Sequence, residues 1–405
     1  MFAAATPGYP QLPGLLVAVC LVLFALAWLR GWSVGPPAAA AVTLATRVVM
    51  VVLANGHTPR DVTRYFQFAG RLVSEGRDPL TQLPAYQWNF LPLMPYVFAL
   101  EQQLGLTWQL AGKIAPVLAD VATTLLLARL ATGADAGRVP LLYALCPVPI
   151  LVTGLHGQVE PVALALGLAG LLAARRHRAV GSGLLLGLAV ATKTWPVLLV
   201  LGPLRETPVR RWWRLVLPLG AVLVALLLSI PAFLHDSLRA AVHVLAGYRS
   251  YTGVWGWTGI LQFYGRTGTG YRGARVETVQ HVGTVLTLVA VAVVVAAFWR
   301  SGAVPLTAAV LLAFLVVTAG FGAQYLLWPV PFVLLLRRRT GLAFTVAASL
   351  YAAYAYYLVG DGTPARPAVL TDVLQWASLP VIATAILALP WSARHPAPAA
   401  EPVPA

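Results

Sequence analysis

Long apolar stretches separated by short polar breaks run from residue 13 to residue 391. The stretches are rich in Ala, Leu and Val and lack the every-second-residue alternation of barrel strands, so they predict helices. A crossing of the hydrocarbon core needs about 20 apolar residues, and in lipid only helices or closed barrels satisfy their own backbone. The pattern places spans near 13–29, 37–54, 108–130, 138–154, 159–174, 179–192, 195–204, 215–234, 280–299, 303–320, 324–336, 341–358 and 373–391. Two of these, 179–192 and 195–204, are short for a crossing and predict a bent or re-entrant pair. Residues 91–104 are apolar but interrupted, which fits an interfacial helix better than a span. The expected fold is all-α, a polytopic transmembrane helical bundle of about 11–13 spans. One integral membrane domain, 1–391, is expected to be followed by a disordered Pro/Ala-rich tail, 392–405.

Composition agrees with that class: 59% of the residues are hydrophobic and 10% charged. The net charge of +15 comes from 28 Lys plus Arg against 13 acids, and only Lys113 and Lys193 are lysines. On a soluble chain such a balance would point to nucleic acid, but on the loops of a membrane protein it sets topology and attracts anionic lipid. Membrane lipid is therefore an expected partner and nucleic acid is not. Cys20 and Cys146 both lie in apolar stretches and imply no disulfide framework. No charged region precedes the first apolar stretch, which is read as a retained span rather than a cleaved signal. Fifteen arginines, from Arg30 to Arg394, gather at one set of span ends, and ten, from Arg60 to Arg366, lie on the other side. The first set crowds short loops, so the positive-inside rule puts residues 55–107 and 235–279 outside.

The polar segment 55–90 carries an isolated acid, Asp61. Thr58, Pro59 and Asp61 have the form of a helix start, and Val62, Phe66, Ala69 and Val73 follow at helical spacing up to Gly76. An amphipathic helix over 59–75 is expected to lie on the membrane, showing Arg64, Gln67 and Arg71 to water or ligand. By spacing alone Asp61 reads equally well as a capping acid or as a catalytic one. The two roles are compatible, because a helix start keeps a carboxylate ionised. His156, Gln158 and Glu160 crowd an outer span entrance, where they could bind substrate or cap the next helix. Lys193, before Trp195 and Pro196, reads either as a functional cation or as a snorkelling one. Lys113 and Asp120, seven residues apart on one helical face, are expected to form a structural ion pair. In the second outer loop, tyrosines and tryptophans interleave with arginines. Arg249 and Trp257 are the substrate-binding candidates there, and Gln324 with Tyr325 could line the same cavity. The seven histidines are scattered, no metal-ligand spacing is found, and no cofactor is expected.

Four stretches carry a family resemblance: RDVTRYFQFAGRLVSEGRDPL with FLPLMPYVFAL, HGQVEPVALALGLAGLLAARR, AVGSGLLLGLAVATKTWPVLLVLGPL, and FGAQYLLWPVPFVLL. In that order they resemble the GT-C class of glycosyltransferases, which take a sugar from a polyprenyl phosphate. They are most similar to the mannosyltransferase branch that includes bacterial polyprenyl-phosphate-mannose enzymes and the GPI mannosyltransferase catalytic subunits. The resemblance implies that Asp61 is the catalytic acid of the first outer loop and deprotonates the acceptor hydroxyl as the sugar inverts. Glu160 is the alternative base. Some relatives carry a second acid next to this one. Here the next is Asp78, which puts dependence on a divalent metal in doubt. The resemblance further implies a polyprenyl-phosphate sugar donor, mannose foremost, a lipid-linked or glycan acceptor, and an extracytoplasmic active site in the cell membrane. Arg64, His156, Gln158, Glu160, Lys193, Arg249, Trp257, Gln324 and Tyr325 are the expected substrate contacts. A transporter or flippase of lipid-linked sugars, or a non-catalytic binding subunit, would share the basic outer face without the chemistry.

Overall fold

The computed structural model describes residues 11–56, 59, 61–83, 88, 90–359 and 368–391. Thr58, Arg60 and the tail 392–405 lie outside the described residues. Within them the chain is helical throughout, with isolated bridges of Thr252 to Gly270 and to Gly320 in place of strands. The protein is a polytopic all-α membrane protein. Six helices are long and apolar enough to cross on length and composition: Gln11–Arg30, Pro36–Leu53, Trp108–Leu130, Val209–Phe233, Ala274–Ser301 and Thr371–Ala388. Asp135–Leu145 and Pro147–His156 are apolar enough together for a broken span or a re-entrant loop, and they meet at 47°. Pro147 has no N–H to continue the first helix and forces Cys146 into an extended conformation, and this produces the bend. Of the other expected spans, 341–358 is a 21-residue helix, Arg339–Val359, and Ala179–Thr192, Ala303–Val317 and Ala323–Leu336 are shorter apolar helices.

Burial separates lipid-facing from central helices. In Val209–Phe233 and Ala274–Ser301 only 11% of the apolar window is buried within the protein, so their leucines and valines face hydrocarbon. By contrast Ala303–Val317 is buried nearly all round, from Ala303 through Leu315, and forms the centre of the main core. The expected break between 179–192 and 195–204 is present. The helix Ala179–Thr192 stops at Lys193, which is fully extended (φ −163°, ψ 154°), and a tighter helical stretch, Trp195–Val200, follows. A second apolar cluster is built largely from the segment between Val62 and Ala111. Phe66, Trp88, Phe90 and Phe98 pack there with Trp108, Val159 and Ile230.

One buried ionic network ties several of the helices together. Arg47 Nε donates to Asp120 Oδ2 at 2.7 Å, with both side chains fully buried. The guanidinium also reaches the Ala144 and Tyr143 carbonyls, and Asp120 accepts from the Tyr143 hydroxyl and, at 3.0 Å, from Thr153 Oγ1. This corrects the expected Lys113–Asp120 pair. Helical spacing alone places the two on one face, but a guanidinium from the neighbouring helix satisfies Asp120 first. A buried pair broken on one side leaves a stranded charge, at a cost of about 3–5 kcal/mol. Asp120→Ala is therefore expected to lower the melting temperature in detergent sharply, and the double variant Arg47→Met/Asp120→Leu to recover most of the loss. Equal destabilisation by both would show that the pair is not the interaction at stake.

Candidate active site

The first outer segment enters its helix through an unusually wide turn. Pro59 O accepts from the Val62 and Thr63 N–H groups, and the Asp61 carboxylate accepts from Val62 N at 3.0 Å. Gln67 N then bonds to Val62 O, five residues back, so Val62–Phe66 is a π-helical turn before the regular helix Gln67–Ser74. Such turns insert an extra residue and re-aim the side chains beside them. Gly76, at φ +69°, follows the helix as its stop. The inner face is apolar and buried: Val62, Phe66, Ala69 and Leu72. Phe66 stacks on Phe98 with centroids 5.0 Å apart, and the Trp108 indole donates to Val62 O at 2.8 Å. A Cβ on Gly70 would lie 2.8 Å from the Phe98 carbonyl carbon, so only glycine permits the helix to pack this closely on Leu93–Gln102. Arg64, Gln67 and Arg71 are exposed, as the amphipathic pattern requires.

The opposing wall comes from a second π-helical turn, Ile150–His156, which ends at Gly157 in the left-handed region (φ +79°). Gly157 N bonds five residues back to Val152 O at 3.1 Å. This reversal points the side chains on both sides of Gly157 at Asp61. His156 Nε2 lies 2.9 Å from each carboxylate oxygen, and Gln158 Nε2 donates to Oδ2 at 2.5 Å. An ionised carboxylate can only accept, so the hydrogen between them belongs to His156 Nε2. The other ring nitrogen, Nδ1, is held by the Tyr356 hydroxyl at 2.8 Å. Both imidazole nitrogens are thus occupied. The Asp61 side chain, 36% exposed, keeps lone pairs open to an incoming group.

Burial by itself would push the Asp61 carboxyl up. The His156 charge and hydrogen bond, the Val62 N–H and the Lys193 ammonium outweigh it and hold the group below its usual range. Asp61 is accordingly an anion at neutral pH, partly exposed and able to accept a proton.

Glu160 and Lys193 form the next layer. Lys193 Nζ donates to Glu160 Oε1 at 2.7 Å, with both side chains buried, and sits 5.3 Å from the Phe90 ring centroid. Below them Trp195 stacks on Trp328 and Trp328 on Tyr325, at 4.1 and 4.3 Å between centroids. The Tyr325 hydroxyl meets Ser250 Oγ at 3.3 Å and also Tyr248. Asp61, His156, Gln158, Glu160, Lys193 and Tyr325 therefore converge. The remaining expected residues do not join them by direct contact. Arg64 is exposed on the outer helix. Arg249 pairs with Glu277 at 3.6 Å, and the Trp257 indole donates to Val317 O at 2.9 Å, a structural bond. Gln324 folds back over Gly322, with its amide within 2.7 Å of where a Cβ there would stand.

Three residues were not picked out from sequence. Tyr356 comes from Arg339–Val359, in a run of alanines and tyrosines with nothing to mark it. Tyr248 and Tyr271 come from the aromatic outer loop, where each resembles its neighbours. Burial, then the charges of Tyr248 and Asp61, push the Tyr271 phenol above its usual range, and its ring meets Tyr251 edge-on at 5.2 Å. Among the described residues no group of three or more His, Cys, Asp or Glu is placed to hold a metal ion.

Residues 89–320 match the sequence profile of glycosyltransferase family 87. No curated protein and no solved structure matches the chain. The matched stretch covers more than half of the 405 residues and contains His156, Gln158, Glu160 and Lys193. The chain belongs to glycosyltransferase family 87, and its activity is the transfer of a glycosyl group from a sugar donor to an acceptor.

Proposed function

We propose that the protein transfers a hexose, mannose foremost, from a polyprenyl monophosphate to a hydroxyl of a lipid-linked or glycan acceptor, with inversion. Asp61 is the base. The carrying observation is its environment: a carboxylate kept ionised, one third exposed, and gripped from behind by His156 and Gln158. Glu160 competes poorly for the role, being fully buried and committed to Lys193. His156 is a positioning residue, since neither of its nitrogens is open to a substrate hydroxyl.

In this reaction the acceptor oxygen bonds to the anomeric carbon as Asp61 takes its proton. The bond from that carbon to the phosphate oxygen breaks, and its electron pair leaves on the polyprenyl phosphate. Phosphate is a stable leaving group that calls for charge stabilisation more than for an acid, so one carboxylate suffices. A carboxylate below its usual range is a weak base, and it accepts the proton only as the forming bond makes the hydroxyl acidic. A lipid donor reaches such a site sideways from the bilayer. The arginine distribution supports an extracytoplasmic chamber.

Two outcomes check the reading in proteoliposomes supplied with polyprenyl-phosphate-mannose and a panel of lipid-linked acceptors. Asp61→Asn should lose turnover by about 10²–10⁴-fold, the usual worth of a positioned base. Turnover within a few-fold of wild type would remove Asp61 from the chemistry. The second outcome is a pH profile. The base must be ionised, and its pKa is lowered, so wild-type activity should hold through the ordinary carboxylate range and fall only below it. His156→Phe removes the strongest influences that lower Asp61 and leaves burial to raise it. Its acid limb should therefore move to higher pH, and an unmoved limb would deny the coupling.

A further inference from the structure

Besides His156, three cations are buried among the described residues: Arg47, Lys113 and Lys193. Arg47 is matched by Asp120 and Lys193 by Glu160. Lys113 is 2% exposed, and its Nζ has no hydrogen-bond or ion-pair partner there. A buried ammonium without a counter-charge is costly, and its presence calls for a ligand that supplies one.

The position of Lys113 says which ligand. It stands at the head of Ile114–Leu130, and its stem runs directly beneath the reversal that holds Asp61. Its Cγ, Cε and Cδ lie 2.9, 3.4 and 3.7 Å from where a Cβ on Gly157 would be. Glycine is thus needed at 157 twice, for the left-handed backbone and for the passage of this side chain. Around the same turn two acceptors are also buried without partners, Gln158 Oε1 and Glu160 Oε2. One cation and two acceptors around one turn are thus without partners among the described residues. A sugar phosphate fills both needs, with anionic oxygens for the ammonium and hydroxyls for the acceptors. A simple inorganic anion fills only the first.

We infer that Lys113 is the residue that binds the phosphate of the lipid donor, while Lys193 serves chiefly to neutralise Glu160. The inference rests on the donor proposed above. Arg249, the basic substrate-binding candidate of the aromatic loop, has its charge met by Glu277.

The test uses the full chain in proteoliposomes, with polyprenyl-phosphate-mannose as donor and sugar-free polyprenyl monophosphate as competitor. Loss of a charge-assisted phosphate contact should raise both the donor KM and the inhibition constant of the competitor about tenfold or more in Lys113→Met. The acceptor KM should stay within about twofold, and Lys113→Arg should restore most of the affinity. Lys113→Gln, which keeps a polar head group, takes the same measurements should the Met variant fail to fold. Donor KM and competitor affinity unchanged in a folded Lys113 variant, beside an active wild type, would overturn the inference alone. A wild type that neither uses the donor nor binds the competitor would instead overturn the donor reading, and this inference with it.

Discussion

The contact on which the rest of the site depends is the one between Asp61 and the turn His156–Gly157–Gln158. A carboxylate drawn partly out of water needs donors, and here one reversal of the chain delivers two, at 2.9 and 2.5 Å. That reversal exists because a π-helical turn ends at a left-handed glycine, and the turn in turn is anchored below. Thr153, inside it, donates to Asp120, the acid held by Arg47. The buried ion pair and the proposed base therefore belong to one hydrogen-bonded structure.

Charge matching in the interior gives the chamber its character. Each buried ion is costly alone, so the protein pairs Arg47 with Asp120 and Lys193 with Glu160. Unpartnered buried polar atoms occur in several parts of the described structure, and three of them, Lys113 Nζ, Gln158 Oε1 and Glu160 Oε2, belong to side chains around the turn that holds Asp61. A ligand bound there supplies what the chain withholds. Trp195, Trp328 and Tyr325 stack into one aromatic layer.

Much of this was legible in the chain. The apolar stretches foretold the helices closely, down to the break after Thr192, because lipid imposes a strict length and polarity rule on each crossing. Asp61, His156, Gln158, Glu160 and Lys193 stood out because polar groups beside apolar spans are costly and hence informative. Seven-residue spacing misled for Lys113 and Asp120, since periodicity reports one helix and Asp120 is satisfied from another. The π-helical turns left no sequence signal, because they arise from how Val62–Phe66 and Ile150–His156 are packed. Tyr356 meets His156 from 200 residues away, and no local pattern encodes such a contact.

A single carboxylate acting as base, with no covalent sugar intermediate, demands inversion at the anomeric carbon. The direct measurement is the anomeric configuration of the product, read from its one-bond C1–H1 coupling by NMR, after transfer from a donor of known configuration. An inverted product agrees with Asp61 as the base of a single displacement. A product that retains the donor's configuration would contradict it and require a nucleophile on the enzyme.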